Sequence, residues 1–267
     1  MEKYRAVFCD IDGTLLTSDH RVTPDTAKKI RELSERGIPF ILTSSRMPAA
    51  MYSIQREIGF RGSMISYGGA LVLDENGKPL SSVGLSQELA ASLRGEFPPE
   101  TRERCFSAYS GDLWMVTDPA HPLVRREEEI TGVRSLKGSW EELLPADVPL
   151  HKLFWTGPSD FLDELAEGLR RKFPQCMFCK SAPWLLEIMD GRASKSQAVH
   201  ILCNELGITP AETVSFGDNY NDVDMLRATG HSVAMGNAPD AVKAAASWTT
   251  ADNNQEGLLL ALNRLFP

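Results

Sequence analysis

The sequence has no hydrophobic run of membrane-spanning length and no excess of positive charge. Its net charge is −8 at pH 7, whereas modules that bind nucleic acid normally present a basic face to the phosphates. Residues 1–4 lead straight into an apolar segment and lack the pattern of a secretory signal peptide. These absences predict a cytoplasmic protein with neither a nucleic-acid partner nor a membrane partner.

Cysteine and histidine are also scarce, with five of each in 267 residues. An odd number of scattered cysteines in a chain of this size predicts reduced thiols. Cys176 and Cys179 have the spacing of a metal or redox pair. No second pair of ligands accompanies them, and the segment resembles a strand rather than a helix start, so we interpret the spacing as incidental.

The first polar cluster follows a short apolar run at residues 4–9 and contains Asp10, Asp12, Gly13 and Thr14. This pattern predicts a buried strand that opens into a polar loop, which is where open α/β sheets place their sites. Two close carboxylates raise each other's pKa unless a cation lies between them, and Mg²⁺ takes such oxygen ligands. A carboxylate facing a magnesium-bound phosphate can act as a nucleophile. The alternative is that both aspartates only cap the next element.

A second buried strand is predicted at residues 39–43, after a helix whose start is marked by Pro24. A strand, a helix and another strand form a βαβ unit, which makes the two strands parallel. This strand also ends in polar residues, namely Ser44, Ser45 and Arg46. Ser44 is placed to cap the following helix, and this does not exclude a bound anion because a helix start is itself an anion site.

Between residues 81 and 187 the pattern changes. It predicts helices and paired strands in the following order: residues 86–97, 104–117, 150–155, 159–173 and 177–189. Helices combined with antiparallel strands describe an α+β unit, here inserted between two parts of a parallel sheet.

The chain then returns to alternating strands and helices. Lys195 lies at the start of a predicted helix, where the helix dipole disfavours a cation, so its position suggests an anionic partner. An exposed surface lysine is the alternative. The next predicted strand, residues 213–216, leads into the GDxxND run at residues 217–222, the most specific motif in the sequence.

These polar segments together resemble the four motifs of the haloacid dehalogenase superfamily of phosphohydrolases. They are residues 10–14, Ser44, Lys195 and residues 217–222. The chain departs from the pattern twice, because relatives with a large cap usually have Gly where it has Ser45 and commonly have Asn where it has Gly68. The second departure removes an amide that could contact a substrate.

The resemblance covers essentially the whole chain, and the inserted unit looks like the type IIB cap of the Cof-type branch. It implies an α/β fold with a Rossmann-like, doubly wound parallel sheet. The core is expected at residues 1–80 and 188–267, with the α+β cap domain at residues 81–187.

The same resemblance implies the catalytic groups and the metal. Asp10 attacks phosphorus, while Asp12 protonates the leaving oxygen and then activates water. Mg²⁺ is expected on Asp10, on the backbone carbonyl of Asp12 and on Asp218. Spacing alone shows only that two acids lie within reach of each other.

Phosphate contacts are implied for Ser44, Lys195 and Asn221, and Asp222 is expected to hold Lys195. Three further residues are proposed as substrate contacts, with packing or surface exposure as the alternative. They are Arg46, Trp114 and Trp184.

The implied function is a magnesium-dependent phosphatase that acts on small phosphorylated metabolites, in particular hexose phosphates, through an aspartyl-phosphate. The cap would close over the site, and the protein is expected to be a monomer or a weak homo-oligomer. One alternative is a phosphomutase or phosphotransferase on sugar phosphates, which uses the same loops. The other is a phospho-acceptor signalling module, although such modules are about half this length and have no cap.

Overall fold

The computed structural model describes residues 3–267, and the chain divides into two compact units. The core unit comprises the chain up to Arg46 together with Met51–Ser81 and Ser194–Pro267. The inserted unit comprises Met47–Ala50 and Ser82–Ala193. None of the helices in residues 3–267 combines the length and the apolar character needed to cross a membrane.

The secondary structure alternates between strands and helices along most of the chain. The strands are β1 (Ala6–Asp10), β2 (Phe40–Thr43), β3 (Met64–Ser66), β4 (Leu71–Leu73), β5 (Pro79–Ser82), β6 (Cys105–Ser110), β7 (Leu113–Val116), β8 (Leu136–Lys137), β9 (Lys152–Thr156), β10 (Cys176–Ala182), β11 (Leu185–Asp190), β12 (Thr213–Gly217), β13 (His231–Ala234) and β14 (Trp248–Thr249). The α-helices are α1 (Pro24–Glu35), α2 (Pro48–Ile58), α3 (Gln87–Gly95), α4 (Pro122–Thr131), α5 (Trp140–Leu143), α6 (Ser159–Lys172), α7 (Lys195–Leu206), α8 (Val223–Ala228), α9 (Asp240–Lys243) and α10 (Gly257–Leu265). Short 3₁₀ turns lie at Tyr67–Gly69, Pro210–Glu212, Tyr220–Asp222 and Asn253–Gln255.

The sheet of the core unit has the strand order β14-β13-β12-β1-β2-β3-β4-β5. Each neighbouring pair from β14 to β3 is parallel, and β4 returns antiparallel to β3. In β1, Val7 lies opposite Val214 on one side and Phe40 on the other. The predicted α/β fold with a parallel sheet is therefore confirmed, and β12, β1 and β2 end at the same edge of it.

β1 lies inside this sheet, between β12 and β2, and every one of its residues is buried. Ala6 and Phe8 belong to a hydrophobic cluster that includes Val199 and Leu202 of α7. Successive side chains of a strand point to opposite faces. The intervening residues of β1 are also fully buried, so both faces of the sheet are covered, as a doubly wound fold requires.

The inserted unit has its own sheet, in the order β10-β11-β9-β6-β7-β8. Its pairs are antiparallel except for β7 and β8, which run parallel. One face of this sheet packs against α3 and α6 through a hydrophobic cluster that includes Leu93, Leu153, Leu162 and Ile188. This is the α+β unit that the sequence predicted.

The compact units divide later in the chain than the predicted end of the inserted unit. We expected the core to resume at residue 188, but the inserted unit extends to Ala193. The reason is the register of the last hairpin, in which Asp190 still pairs with Cys176. Residue 187 therefore lies inside a strand, and the chain leaves the unit only after β11 has ended. At the other boundary, the division after Ser81 differs from the prediction by one residue.

Cys176 and Cys179 lie on β10, so their predicted position on a strand is confirmed. Both are free thiols. Burial raises the pKa of Cys176 to about 11, and burial followed by the charge of Glu187 raises the pKa of Cys179. Thiols with raised pKa values stay protonated near neutral pH and are weak nucleophiles.

Candidate active site

The carboxyl ends of three adjacent strands carry acidic and hydroxyl residues of the predicted site. Asp10 is the last residue of β1, Ser44 follows β2, and Asp218 follows β12. Since these strands are parallel neighbours, the three residues lie along one edge of the core sheet. Lys195, the first residue of α7, reaches the same edge because its ammonium contacts Asp10.

Lys195 joins two carboxylates that come from distant parts of the chain. Its Nζ donates to Asp10 Oδ1 at 2.7 Å and to Asp222 Oδ1 at 2.6 Å. The lysine side chain is only 2% exposed, so water cannot replace these contacts. Asp222 is held in turn, because its Oδ2 accepts from the backbone N–H groups of Asp218 and Asn219, each at 3.0 Å. Asp222 is therefore itself fixed by the backbone and holds the ammonium of Lys195 in place.

The charges in this cluster perturb one another strongly. Burial raises the pKa of Asp10 well above its ordinary value, the charge of Asp222 raises it further, and Lys195 opposes the change. Burial also raises the pKa of Asp218 to about 6, against a lowering by the hydrogen bond from Thr14. Burial alone would lower the pKa of Lys195, but Asp10 and Asp222 outweigh it and raise the pKa, so the ammonium stays charged.

The acidic cluster has the composition of a divalent-cation site. Carboxylate oxygens of Asp10, Asp218 and Asp222 lie within 4.8 Å of one another. Asp222 already accepts from Lys195 and from two backbone N–H groups, which leaves Asp10 and Asp218 as the carboxylates best placed to share a cation. Burial, followed by the charge of Asp222, raises the pKa of both groups, and a hard cation such as Mg²⁺ would favour their ionised forms.

Gly13 and Thr14 attach the first loop to Asp218. Thr14 Oγ1 donates to Asp218 Oδ1 at 2.8 Å. Gly13 has a φ of +86°, and a Cβ at this position would lie 2.8 Å from the Asp218 Cγ atom. Only glycine fits this backbone so close to the carboxylate. The contact with Asp218 of the fourth motif therefore explains why the first motif has glycine at position 13 and a hydroxyl residue at position 14.

Asp12 does not join the acidic cluster with its side chain. Arg46 donates two hydrogen bonds to its carboxylate, from Nε to Asp12 Oδ2 at 2.8 Å and from Nη2 to Asp12 Oδ1 at 2.6 Å. His20, a residue that the sequence analysis did not select, lies with its Nδ1 4.0 Å from Asp12 Oδ1. The carboxylate is 47% exposed, so it remains accessible while it is held in one orientation.

The loop after β3 closes the site beside Ser44. Ser44 donates its N–H to Ile65 and accepts at its carbonyl from the N–H of Gly68 at 2.9 Å. Gly69 has a φ of +106°, and a Cβ there would lie 2.9 Å from the backbone nitrogen of Lys195. This close approach brings the loop after β3 against the start of α7, which requires glycine at position 69.

A family model described as haloacid dehalogenase-like hydrolase matches residues 7–262, which is nearly the whole chain. The protein belongs to the haloacid dehalogenase-like hydrolase family. The resemblance predicted from the four motifs is thereby confirmed.

Relatives and solved structures agree with this family. A Haemophilus influenzae protein, described provisionally as a phosphatase, is 34% identical over 268 residues that cover 99% of each chain. The HMP-PP phosphatase of Serratia proteamaculans is 33% identical over 88% of this chain and 85% of that protein. A haloacid dehalogenase-like hydrolase from Bacteroides thetaiotaomicron has the same fold, with a TM-score of 0.89, 24% identity and coverage of 98% and 100%. The predicted class, a phosphoric monoester hydrolase of the haloacid dehalogenase type, is confirmed.

The two departures from the family pattern leave the loop backbones intact. Ser45 is not among the described residues with positive φ, so its position does not demand the glycine that relatives usually have. Gly68 has a φ of 62° and a ψ of 21°, which is the left-handed region that asparagine also tolerates. The change from Asn to Gly therefore removes a side chain without requiring a new backbone conformation.

Sequence reasoning missed two residues that support the site. Asn237 Nδ2 donates to the Gly13 carbonyl at 2.9 Å and lies 3.4 Å from Asp218 Oδ2. Asp224 Oδ2 accepts from Ser194 Oγ at 2.9 Å, at the start of α7. Nothing in the sequence spacing of either residue indicates these contacts.

Three predicted contact residues remain, one in the core unit and two in the inserted unit. Asn221 lies exposed in the turn Tyr220–Asp222. Trp114 is 2% exposed within the inserted unit and stacks on Tyr109 with ring centroids 5.6 Å apart, which supports the packing alternative. Trp184, also in the inserted unit, is 38% exposed and lies under the Arg126 guanidinium at 4.7 Å. Substrate contacts by these side chains stay predictions.

Proposed function

We propose that this protein is a magnesium-dependent phosphatase of small phosphorylated metabolites, and that it works through a phosphoryl group carried on Asp10. The observation that supports this most strongly is the contact between Lys195 and Asp10. A buried ammonium 2.7 Å from the carboxylate holds that carboxylate in place and offsets the negative charge that an approaching phosphate adds.

In the first step Asp10 attacks phosphorus, so that a bond forms between its carboxylate oxygen and phosphorus while the ester P–O bond breaks. Asp12 donates a proton to the departing oxygen, which leaves as an alcohol. The raised pKa of Asp10 indicates a carboxylate that is poorly stabilised before substrate binds. Lys195 keeps it oriented and, with Ser44, is expected to bind the phosphoryl oxygens.

In the second step water attacks the aspartyl-phosphate and releases inorganic phosphate. Asp12 accepts the proton from that water, which restores Asp10 as a free carboxylate. Magnesium held by Asp10 and Asp218, with the Asp12 carbonyl as a further ligand, would neutralise negative charge on the phosphoryl oxygens. Asp222 keeps Lys195 beside the reacting carboxylate.

The substrate is expected among small phosphate esters. The family resemblance favours sugar phosphates, in particular hexose phosphates. The curated relatives of Serratia and Yersinia species are named HMP-PP phosphatases, at 33% and 29% identity, so HMP-PP is the second compound to examine. Both choices require the same phosphoryl chemistry at Asp10.

The first test is turnover of a panel of sugar phosphates and HMP-PP by the purified protein, with Mg²⁺ and with a chelator. We expect magnesium-dependent release of phosphate, and a loss of at least about a thousandfold in kcat for Asp10→Asn because the nucleophile is removed. Asp25→Asn, an exposed aspartate on α1, is the matched control and should retain wild-type turnover. Normal activity of Asp10→Asn, or turnover unaffected by thorough chelation, would refute the proposal.

A further inference from the structure

We infer that Arg46 is a positioning residue that holds Asp12 ready to activate water in the second step, instead of the substrate contact that the sequence suggested. The inference rests on the proposed function. It starts from the fork between the Arg46 guanidinium and both carboxylate oxygens of Asp12, at 2.8 and 2.6 Å.

The geometry of the fork fixes both oxygens of Asp12. Nε–H and Nη2–H of Arg46 each donate to a different oxygen of Asp12, so the guanidinium sets the plane of the carboxyl group. Each oxygen keeps a further lone pair that can meet a water molecule.

Arg46 is the better fixed partner of the pair. Its side chain is 16% exposed, against 47% for Asp12. Its backbone is tied on both sides, because its N–H donates to Ser44 Oγ at 3.1 Å and its carbonyl accepts from Ser66 Oγ at 2.5 Å and from the Tyr67 N–H at 3.2 Å. Arg46 therefore links the loops after β2 and β3 to the loop after β1, which carries Asp12.

Asp12 depends on such a clamp. As a half-exposed side chain it would sample several rotamers in water, and a base displaced by about 1 Å loses much of its effect. The guanidinium fork fixes the plane of the carboxylate, which a lysine ammonium, as a point charge, does not. A bound substrate need not touch Arg46 for this role.

The test separates the two chemical steps with p-nitrophenyl phosphate, whose leaving group departs readily without a general acid. For Arg46→Ala we expect kcat to fall about a hundredfold and KM to fall in parallel, with kcat/KM within about threefold of wild type. Because the phosphoenzyme then accumulates, stopped-flow measurement should show a burst of p-nitrophenolate. Arg46→Lys should recover only part of kcat, and Arg5→Ala, which removes a surface ion pair with Glu212, should match wild type.

A substrate contact would instead raise KM and lower kcat/KM without a burst, and a loss of local structure would lower both without accumulation of phosphoenzyme. Either result overturns the role proposed for Arg46. In an Asp12→Asn background, Arg46→Ala should cause no further loss, and a persistent hundredfold loss would contradict the inference. If the wild-type protein shows no magnesium-dependent turnover of this ester, the proposed function itself fails, which is a different outcome from any of these.

Discussion

Two buried lysines, Lys195 in the core unit and Lys152 in the inserted unit, have different surroundings. Lys152 Nζ lies 3.0 Å from Glu187 Oε1, with the two side chains 8% and 5% exposed, and the ring centroids of Tyr109 and Phe154 lie 5.0 and 5.2 Å from it. These contacts pair one ammonium with a carboxylate and with the electron-rich faces of aromatic rings. Such an arrangement satisfies a buried charge without exposing a reactive group.

Lys195 instead lies in a cluster where negative charge is in surplus. It contacts Asp10 and Asp222 while Asp218 lies close to both. A buried surplus of this kind costs free energy, because burial and mutual repulsion both oppose ionisation. The comparison indicates that the ion pair of the inserted unit is balanced, whereas the cluster of the core unit keeps a surplus of negative charge that a divalent cation would offset.

The largest expected difference concerns the two lysines themselves. Lys195→Met should lower kcat/KM about a thousandfold, because a preorganised positive charge at the reacting phosphate is lost. Lys152→Met should keep kcat/KM within about tenfold but lower the free energy of unfolding by about 3 kcal/mol, since Glu187 is left buried without its partner. Steady-state kinetics and urea unfolding of both variants measure this contrast. Equal losses of activity in two folded variants would show that Lys195 and Lys152 do not differ in their roles.

A smaller effect is expected at Glu128, whose pKa is shifted in the opposite direction from that of Asp218. Burial would raise the pKa of Glu128, but hydrogen bonds from Ser135, Arg134 and Arg125 outweigh it and lower the pKa to about 2 from 4.5. Its contribution to stability is therefore present above pH 4.5 and lost as the pH falls towards 2. Glu128→Gln should lower the free energy of unfolding by about 2 kcal/mol at neutral pH and leave it almost unchanged near pH 2, as measured by urea unfolding at each pH.

Asp218 should show the reverse dependence in metal-free protein. Its pKa is raised from 3.8 to about 6, so ionisation destabilises the fold as the pH rises through that range. In the presence of a chelator, Asp218→Asn should be at least as stable as wild type above pH 6. Added Mg²⁺ should raise the melting temperature of wild type but not of this variant. A variant that is destabilised under chelation and still responds to Mg²⁺ would contradict the proposed charge surplus.

A smaller effect is expected for Asn237, which contacts residues of the proposed magnesium site without being one of its ligands. Asn237→Ala removes the hydrogen bond to the Gly13 carbonyl and should weaken Mg²⁺ binding about tenfold, as the loss of a group that orients a ligand usually does. The apparent affinity can be measured from the Mg²⁺ dependence of turnover. The matched control is Asn76→Ala, at an exposed hairpin turn of the core unit, and it should leave that affinity unchanged.

The sequence was sufficient to predict that Asp10, Ser44 and Asp218 lie at one edge of the core sheet. Parallel strands force their carboxyl ends to one edge of the sheet, so polar residues placed there must be neighbours. The fork between Arg46 and Asp12 was not predictable, because it depends on side-chain torsions between residues 34 positions apart. In the same way, Asn237 reaches Gly13 across 224 positions, and no local pattern records such a contact.

The inserted unit was predictable in its elements but not in its details. The hairpin of β10 and β11 was predicted at residues 177–189, and only its register shows that the pairing continues to Asp190. Trp114 and Trp184 could not be distinguished by sequence either. One is buried in the sheet and the other lies in the exposed turn between two strands, and this difference follows from the tertiary packing.

Asp10 should carry the phosphoryl group in the presence of magnesium, and trapping that group tests this most directly. Wild-type protein mixed with p-nitrophenyl phosphate and Mg²⁺ would be quenched in acid within milliseconds and digested for mass spectrometry. We predict a phosphorylated peptide that contains Asp10, present with Mg²⁺, absent with a chelator and enriched in Arg46→Ala. Phosphate found on a different residue, or trapped to the same extent without Mg²⁺, would show that Asp10 is not a magnesium-dependent phosphoryl acceptor.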